Sequence, residues 1–434
     1  MRKVILILFL SLFSIISFSS VEDIFKEELN KNIQLKESEN NLKNIEINIK
    51  KKNNFFIPYT SIKSSPFVML NNQNSDSINF NILNVQKTLN DYTYSTKLYL
   101  NFTELYGAQL GMTLPFGYNE DENKFQIGNL GLSISRDLKK EPEVEKLNLE
   151  ANYYDAIYSI KKTKNSIYMN TINSIINKNN NEELMNLNMK KLELLVKKYE
   201  YLKDEDEREK VELDIIKTKK SIQSLKDKQE NFDYDIDKKT YEEALNLLKE
   251  YDEKINMNYI QREDIKALNK RVEAAKIQET FWFLPYLPDM SVAFNINDLE
   301  NFKWSLTFDL NLNVLDFGEK EQLANTRKNN YSDLKVKEKI DSIERTIKSY
   351  LNDIRINEFD KKINASNLKQ SKENILKNRK LFENGFMSEL DYDLYEIDYR
   401  INEINFESSN LTDNFNYMNI ASENGEALWG DLVE

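Results

Sequence analysis

The chain has 434 residues and a formal net charge of −12, with 40% hydrophobic and 30% charged residues. It contains no Cys and no His, which excludes disulfides, thiolate zinc sites, cysteine nucleophiles, imidazole metal ligands and Ser-His triads. With 9 Gly and neither G-x-G-x-x-G nor G-x-x-x-x-G-K-[ST], phosphate loops have no basis, and the acidic balance argues against nucleic acid as a partner.

Residues 1–19 read as a secretory signal peptide: Arg2 and Lys3 are the charged start, Val4 to Ile16 the apolar stretch, and Ser17-Phe18-Ser19 a small-x-small cleavage site. The stretch is shorter than a membrane-spanning helix needs, and its removal takes away two positive charges, leaving about −14. Repeat 1 follows at 20–231. A polar run at 21–52, rich in Glu, Lys and Asn, predicts a helix ending at Phe55-Phe56-Ile57-Pro58-Tyr59. Period-two alternation then fills 55–136, as in Tyr92, Tyr94, Leu98, Leu100, Phe102 and in Ala108, Leu110, Met112, Leu114, Phe116. Segments of about ten residues, apolar on one side and polar on the other, suit an outer-membrane barrel, or else a sandwich with one wet face. Candidate strands are 56–63, 78–85, 92–102, 105–116 and 129–136. Helices that all lie on one side of a membrane demand an even number of strands, so one of these five is wrong or a sixth lies around Pro66 to Leu70. A helical hairpin at 140–231 rises from about Val144 to Tyr201 and turns within Leu202 to Glu209 without a Gly.

An equatorial linker at 232–260 leads to repeat 2, 261–412. Its helix 261–281 runs into Trp282-Phe283-Leu284-Pro285-Tyr286, and strands follow at 288–314, with Met290, Val292, Phe294 and Ile296 on one face and Trp304, Leu306, Phe308, Leu310 and Leu312 after the turn. The hairpin 318–412 carries a heptad seam at Ile340, Ile343, Ile347, Tyr350 and Ile354, answered by Leu390, Leu394, Ile397, Ile401 and Ile404. Residues 318–383 hold no Pro and only Gly318, which predicts one helix of 66 residues, roughly 100 Å long, stopped at Asn384-Gly385. Residues 413–434 form a C-terminal equatorial segment.

The two aromatic–proline marks are 227 residues apart, and Asn152-Tyr153-Tyr154-Asp155 matches Asn330-Tyr331-Ser332-Asp333 at 178, so the first copy carries 49 extra residues. The fold class is therefore α+β, mostly α: internally duplicated long coiled-coil helices with strands that contribute to a shared barrel. A few strands cannot close a barrel alone and open edges are not tolerated in lipid, which makes the chain a homo-oligomer.

Three motifs then resemble the TolC-like outer-membrane efflux channels over nearly the whole mature chain. Lys380-Leu381-Phe382-Glu383-Asn384-Gly385-Phe386-Met387-Ser388-Glu389-Leu390-Asp391 is similar to that family's Y-x-x-G-x-x-x-x-x-D hairpin tip. Ala274-Ala275-Lys276 through Leu284-Pro285 is similar to its helix ending in an aromatic and "LP", and Leu315-Asp316-Phe317-Gly318 to the turn into its long helix. The resemblance implies a homotrimer with one outer-membrane β-barrel, a helical tube through the periplasm, and docking with a periplasmic adaptor protein and an inner-membrane transporter for efflux or secretion. Outer-membrane lipid would surround the barrel, and no cofactor is implied. The 49 extra residues and the missing Gly at the first hairpin tip depart from the family pattern.

By the same resemblance Asp391 matches the acid that rings the closed tunnel entrance, with Asp393 a second candidate; the bland reading of both is a helix-start acid favoured by the dipole. Leu202, Lys203, Gly385, Phe386 and Met387 are candidates for adaptor contact at the tips. Phe56, Pro58, Trp282, Phe283 and Pro285 mark a junction between barrel and tube, or else a packed corner. The acidic run Asp204 to Glu207 reads as a solvated turn and lacks the Gly and spacing of an EF-hand. A structural envelope or surface stalk would explain the heptads but not the strand pairs between helices. A periplasmic adaptor would have one hairpin and Gly-rich β domains. An enzyme would need a base of suitable pKa that the chain does not offer.

Overall fold

The computed structural model of the chain describes residues 20–53, 59–69, 92–101, 108–119, 124–127, 130–137, 142–229, 234–252, 259–280, 289–298, 302–311 and 318–430. The leader, the candidate strand 78–85 and the junction residues Phe56, Pro58, Trp282, Phe283 and Pro285 lie outside the described residues. No helix among the described residues is long and apolar enough to cross a membrane. The elements fall into two compact units, one of Asn40–Asp155 with Lys266–Val336, the other of Met1–Glu39, Ala156–Ile265 and Lys337–Glu434.

The first unit is an antiparallel sheet with the helix ends that feed it. Its strands are β1 (Tyr59–Met69), β2 (Tyr92–Asn101), β3 (Ala108–Asn119), β4 (Lys124–Ile127), β5 (Gly131–Asp137), β6 (Asp289–Asp298) and β7 (Lys303–Asn311). The path across the sheet is β1-β2-β3-β5-β6-β7, with β4 paired to β3 off the path. β4 and β5 are two halves of one interrupted strand. β3 pairs Phe116 with Ile127 of β4 but Thr113 with Gly131 of β5, a register offset of one residue, as a bulge produces. The region around Pro66 is part of β1 rather than a separate strand: the register shifts between Ser65 and Val68, where Pro66 has no N–H for the ladder. Among the described residues the path across the sheet therefore has six strands.

Four helices meet this sheet: α2 (Ile33–Asn53) leads into β1, α3 (Pro142–Tyr201) leaves β5, α6 (Glu263–Thr280) leads into β6, and α7 (Glu319–Asn330) follows β7. The register places Tyr59 beside Asn101, Ala108 beside Arg136, Asp137 beside Ser291 and Asp289 beside Asn311, so all four helix junctions share one end of the sheet. The helix ends are tied together there. Lys52 of α2 pairs with Glu145 of α3 at 2.6 Å, and Lys270 of α6 with Glu150 of α3 at 3.0 Å. Val144 and Leu147 pack on Ala274 and Ile277.

The alternation seen in the sequence becomes one apolar face. Leu110 pairs with Ile134, Ile134 with Phe294 and Phe294 with Leu306, while Ile296 meets Trp304 and Val292 meets Phe308. Nothing among the described residues covers this face: Trp304 is 58% exposed, Phe308 68% and Leu310 60%. The opposite parity carries Ser133, Ser135, Asn295, Ser305, Thr307 and Asp309. Large apolar side chains directed at solvent at this density are the signature of an interaction or membrane surface.

The second unit is helical. α1 (Val21–Lys31) is capped by Ser20, whose hydroxyl accepts from the Asp23 amide. The predicted helix 21–52 is broken at Asn32, which turns to extended backbone and accepts from the Leu35 amide at 2.8 Å, so that it caps α2. α4 (Glu205–Gln229) returns from α3 after a turn at Leu202–Asp204. α5 (Lys238–Lys249) sits in the expected linker. Val21, Ile24, Phe25, Ile172, Ile175, Leu248 and Met418 form the core, with Phe25 edge-on to Tyr168 at 5.2 Å. α8 (Asp333–Glu383) and α9 (Glu389–Glu423) make the other hairpin, and α9 continues well past residue 412.

The 66-residue helix expected over 318–383 is interrupted at Tyr331-Ser332. The Asn-rich end of α7 (Asn325, Asn329, Asn330) is a poor helix former, and the Ser332 carbonyl starts the next helix by accepting from Lys335 at 2.9 Å. Of the expected heptad seam Ile343, Ile347, Ile354, Ile397 and Ile404 are buried, and Ile340, Tyr350, Leu390, Leu394 and Ile401 half-buried. One polar rung interrupts it. Asn357, also buried, donates to the Ser409 carbonyl at 2.9 Å and to Asp413 at 2.7 Å, the kind of contact that fixes register between two helices.

Candidate gate at the hairpin tips

The α8–α9 tip is a helix stop followed at once by a helix start. Gly385 takes φ +75°, and the Phe386 amide donates to the Leu381 carbonyl at 2.8 Å while the Gly385 amide donates to Phe382 at 2.9 Å, a complete Schellman motif. Ser388 then caps α9: its hydroxyl accepts from the Asp391 amide at 3.1 Å and donates to the Asp391 carboxylate at 2.7 Å. Tyr392 stacks on Phe382 at 5.1 Å, which closes the hairpin across the turn. Phe386 is left 82% exposed at the extremity, with Met387 half-buried behind it.

Asp391 is fixed by a residue from the other hairpin. Lys198, in the last turn of α3, donates to its carboxylate at 2.7 Å. Partial burial pushes the Asp391 carboxyl up, but the Lys198 ammonium and the Ser388 hydroxyl outweigh it and hold the group below the usual carboxylate range. One heptad further along, Lys191 and Asp398 pair at 2.6 Å, and beyond them Glu183 meets Arg400 at 2.7 Å. The α3–α9 seam is thus a ladder of ion pairs whose last rung is Lys198–Asp391. Each rung is about a third exposed or more on at least one side, so solvent screens it to about 1 kcal/mol or less.

Asp393 lies two residues on, about 200° around the helix from Asp391, and the two acids cannot line one face. It makes no ion pair among the described residues. At the first hairpin tip, Leu202 is half-buried and Lys203 exposed, and Asp204 caps α4 by accepting from the Glu207 amide at 3.0 Å. The acidic run is therefore a helix start, its charges at the positive end of the dipole. The structure thus brings together Asp391, Gly385, Phe386 and Met387, and sets Leu202 and Lys203 just past the turn of α3 that carries Lys198. Lys198 is the residue that sequence reasoning missed. The matching seven-residue steps Lys191 to Lys198 and Asp391 to Asp398 were the available signal.

A second polar cluster lies in the same unit. Arg262, 2% exposed, donates to Asp264 at 2.9 Å, to Glu423 at 2.9 Å and to the Tyr158 hydroxyl, and Lys339 adds a second cation on Asp264 at 3.0 Å. Burial pushes the Tyr158 hydroxyl up to about 12, against the pull of Arg262, so it stays protonated. Gly425, at φ +84°, packs on this guanidinium's stem: a Cβ there would meet Arg262 Cγ at 2.8 Å. The cluster binds α3, α6 and α9 together and holds no free nucleophile.

No protein-family model matches the sequence, and no curated protein does either. Solved structures do match in fold. The open state of the MtrE outer membrane channel of Neisseria gonorrhoeae superposes with a TM-score of 0.57 at 14% identity, covering 94% of this chain and 89% of that one. The CmeC outer membrane channel of Campylobacter jejuni gives 0.53 at 14% identity over 94% and 89%, and CusC, described with its transmembrane channel formation, gives 0.51 at 11% over 94% and 93%. The chain has the fold of these outer-membrane channels, and the resemblance read from its motifs holds at that level.

Proposed function

We propose that the chain is a passive exit duct of the outer membrane, working as a homotrimer in a tripartite efflux or secretion system. The fold likeness supports a channel. The uncovered apolar face of the sheet supports a lipid-facing barrel wall, with the Ser, Thr and Asn parity turned to the lumen. A second, exposed apolar stripe on α8 at Ile356, Phe359 and Ile363, away from the buried heptad seam, supports packing against another copy. The helices would traverse the periplasm, and Phe386, Met387, Gly385, Leu202 and Lys203 would meet a periplasmic adaptor that connects to an inner-membrane transporter. A stalk protein would have no use for a sheet with a bare apolar face.

The observation that carries the mechanism is the Lys198–Asp391 ion pair. It couples the tip of one hairpin to the tip of the other, so that the duct's end can close without bond chemistry. Opening requires the α8–α9 tip to part from α3, and a partner that engages Phe386 and Lys203 is placed to drive that movement. Asp391 then has two states: neutralised by Lys198 when closed, and a bare carboxylate favouring cations when open.

The test is single-channel conductance of detergent-extracted protein in a planar bilayer. Lys198→Ala and Asp391→Ala should each raise conductance or open probability, and the double variant should add little to either single one. A conductance indifferent to both removes the gate and leaves the channel. A protein that dissolves without detergent and never conducts overturns the duct.

A further inference from the structure

We propose that Asn384–Gly385, at the α8–α9 tip, is a self-modifying site where the chain loses an amide and gains a carboxylate as it ages. The reaction is intramolecular deamidation, with water as its only co-reactant. It goes beyond the duct reading, which its failure would leave untouched.

Of the 9 Gly, Gly385 and Gly425 follow an Asn. Asn deamidates fastest before Gly, because a following residue without a Cβ leaves its backbone nitrogen open to the Asn side chain. The Gly385 nitrogen, on losing its proton to hydroxide, adds to Asn384 Cγ and closes a five-membered imide. The Cγ–Nδ2 bond breaks, and that nitrogen leaves as ammonia with a proton from water. Water then opens the imide at either carbonyl, giving aspartate or isoaspartate. One water is consumed and one ammonia released, with no change of oxidation state.

The two dipeptides share one local structure, so their surroundings decide between them. As at Gly385, the Gly425 amide donates to the Ser422 carbonyl at 3.0 Å and the Glu426 amide to Ala421 at 3.1 Å, and both Gly have positive φ. This Schellman motif occupies the nitrogen that must attack, so the reaction waits for the helix end to fray. At Asn424 tertiary contacts oppose fraying. Lys161 donates to the Gly425 carbonyl at 3.0 Å and the buried Asn165 to the Glu426 carbonyl at 2.8 Å, while the Leu428 amide donates to Asn165 at 3.0 Å. Asn424 is only 6% exposed, and the Arg262 stem fills the space beside Gly425. At the tip, Asn384 and Gly385 are exposed, and nothing lies within 4 Å of where a Cβ of Gly385 would stand. The Asn384 amide donates to the Lys380 carbonyl at 2.8 Å, a bond of the same last turn that goes when the turn goes. Aspartate at 384 would remove that donor and set a negative charge at the C-terminal end of α8, where the dipole disfavours it. Isoaspartate would lengthen the backbone by one carbon, so that the Phe386–Leu381 bond no longer closes. Either product loosens the stop directly before Phe386 and Met387.

The test incubates the detergent-extracted full chain in mildly alkaline heavy-oxygen water, folded and in denaturant, and maps its peptides by mass spectrometry. In the folded chain Asn384 should convert, with isoaspartate in excess and heavy oxygen incorporated, while Asn424 stays an amide. In denaturant both should convert at similar rates. Asn384 that stays an amide in the folded chain overturns the site. Equal conversion of Asn384 and Asn424 in the folded chain overturns the selection of the exposed tip. The same samples are then cut with chymotrypsin after Phe386, which should be about two- to fivefold faster in converted than in fresh chain. Asn384→Gln, whose longer side chain closes an imide far more slowly, should neither convert nor be cut faster after the same incubation. A cleavage rate that conversion leaves unchanged, or that rises equally in Asn384→Gln, overturns the loosening of the stop.

Discussion

At the scale of single residues, Arg262 and Gly425 meet at a buried junction of the helical unit. Arg262→Ala leaves the buried Asp264 and the half-buried Glu423 with one cation fewer, and about 3–5 kcal/mol of stability should be lost, visible as a lowered thermal midpoint. Gly425→Ala adds a Cβ against Arg262 at a left-handed backbone position and should cost about 1–3 kcal/mol in the same melt. Asp391 makes a different prediction, about pH. Its carboxyl lies below the ordinary 3.8, so the Lys198 pair is complete above that value and is lost only as pH falls through the depressed one. Closed-state conductance should be flat from about pH 8 to about pH 5 and rise only below about pH 4. A tip that opens on mild acidification would show that another group governs it. Much of this was beyond the sequence. Asp391 could be singled out from its spacing to Gly385, but its partner stands 193 residues away on another helix, and Arg262 carries no local signal at all.

At the scale of elements, the sequence was most legible where backbone and periodicity agree. Most of the heptad isoleucines of α8 and α9 are buried, and Gly385 ends α8 because its φ of +75° is costly for residues other than Gly and Asn. Nothing lies within 4 Å of where a Cβ would stand, so the position tests backbone preference alone. Gly385→Asn should be nearly neutral, whereas Gly385→Val should destabilise the hairpin by about 1–2 kcal/mol, measured by chemical denaturation. The breaks at Asn32 and at Tyr331-Ser332 were not legible. At Asn32 a side-chain amide that can sit within a helix caps one instead, and at Ser332 only a backbone carbonyl starts the next helix, a group every residue carries. The interrupted strand β4–β5 is similar: a one-residue offset leaves alternation intact on both sides and is invisible until the register is seen.

At the scale of the whole molecule, the composition was informative by exclusion. A chain with no His and no Cys, long heptads and period-two strands lacks the groups of thiol and imidazole chemistry, and its fold is shared with outer-membrane channels. What the sequence could not supply was the strand count, because it depends on which alternating segments pair and in what order. Among the described residues the structure provides that order as a path of six strands.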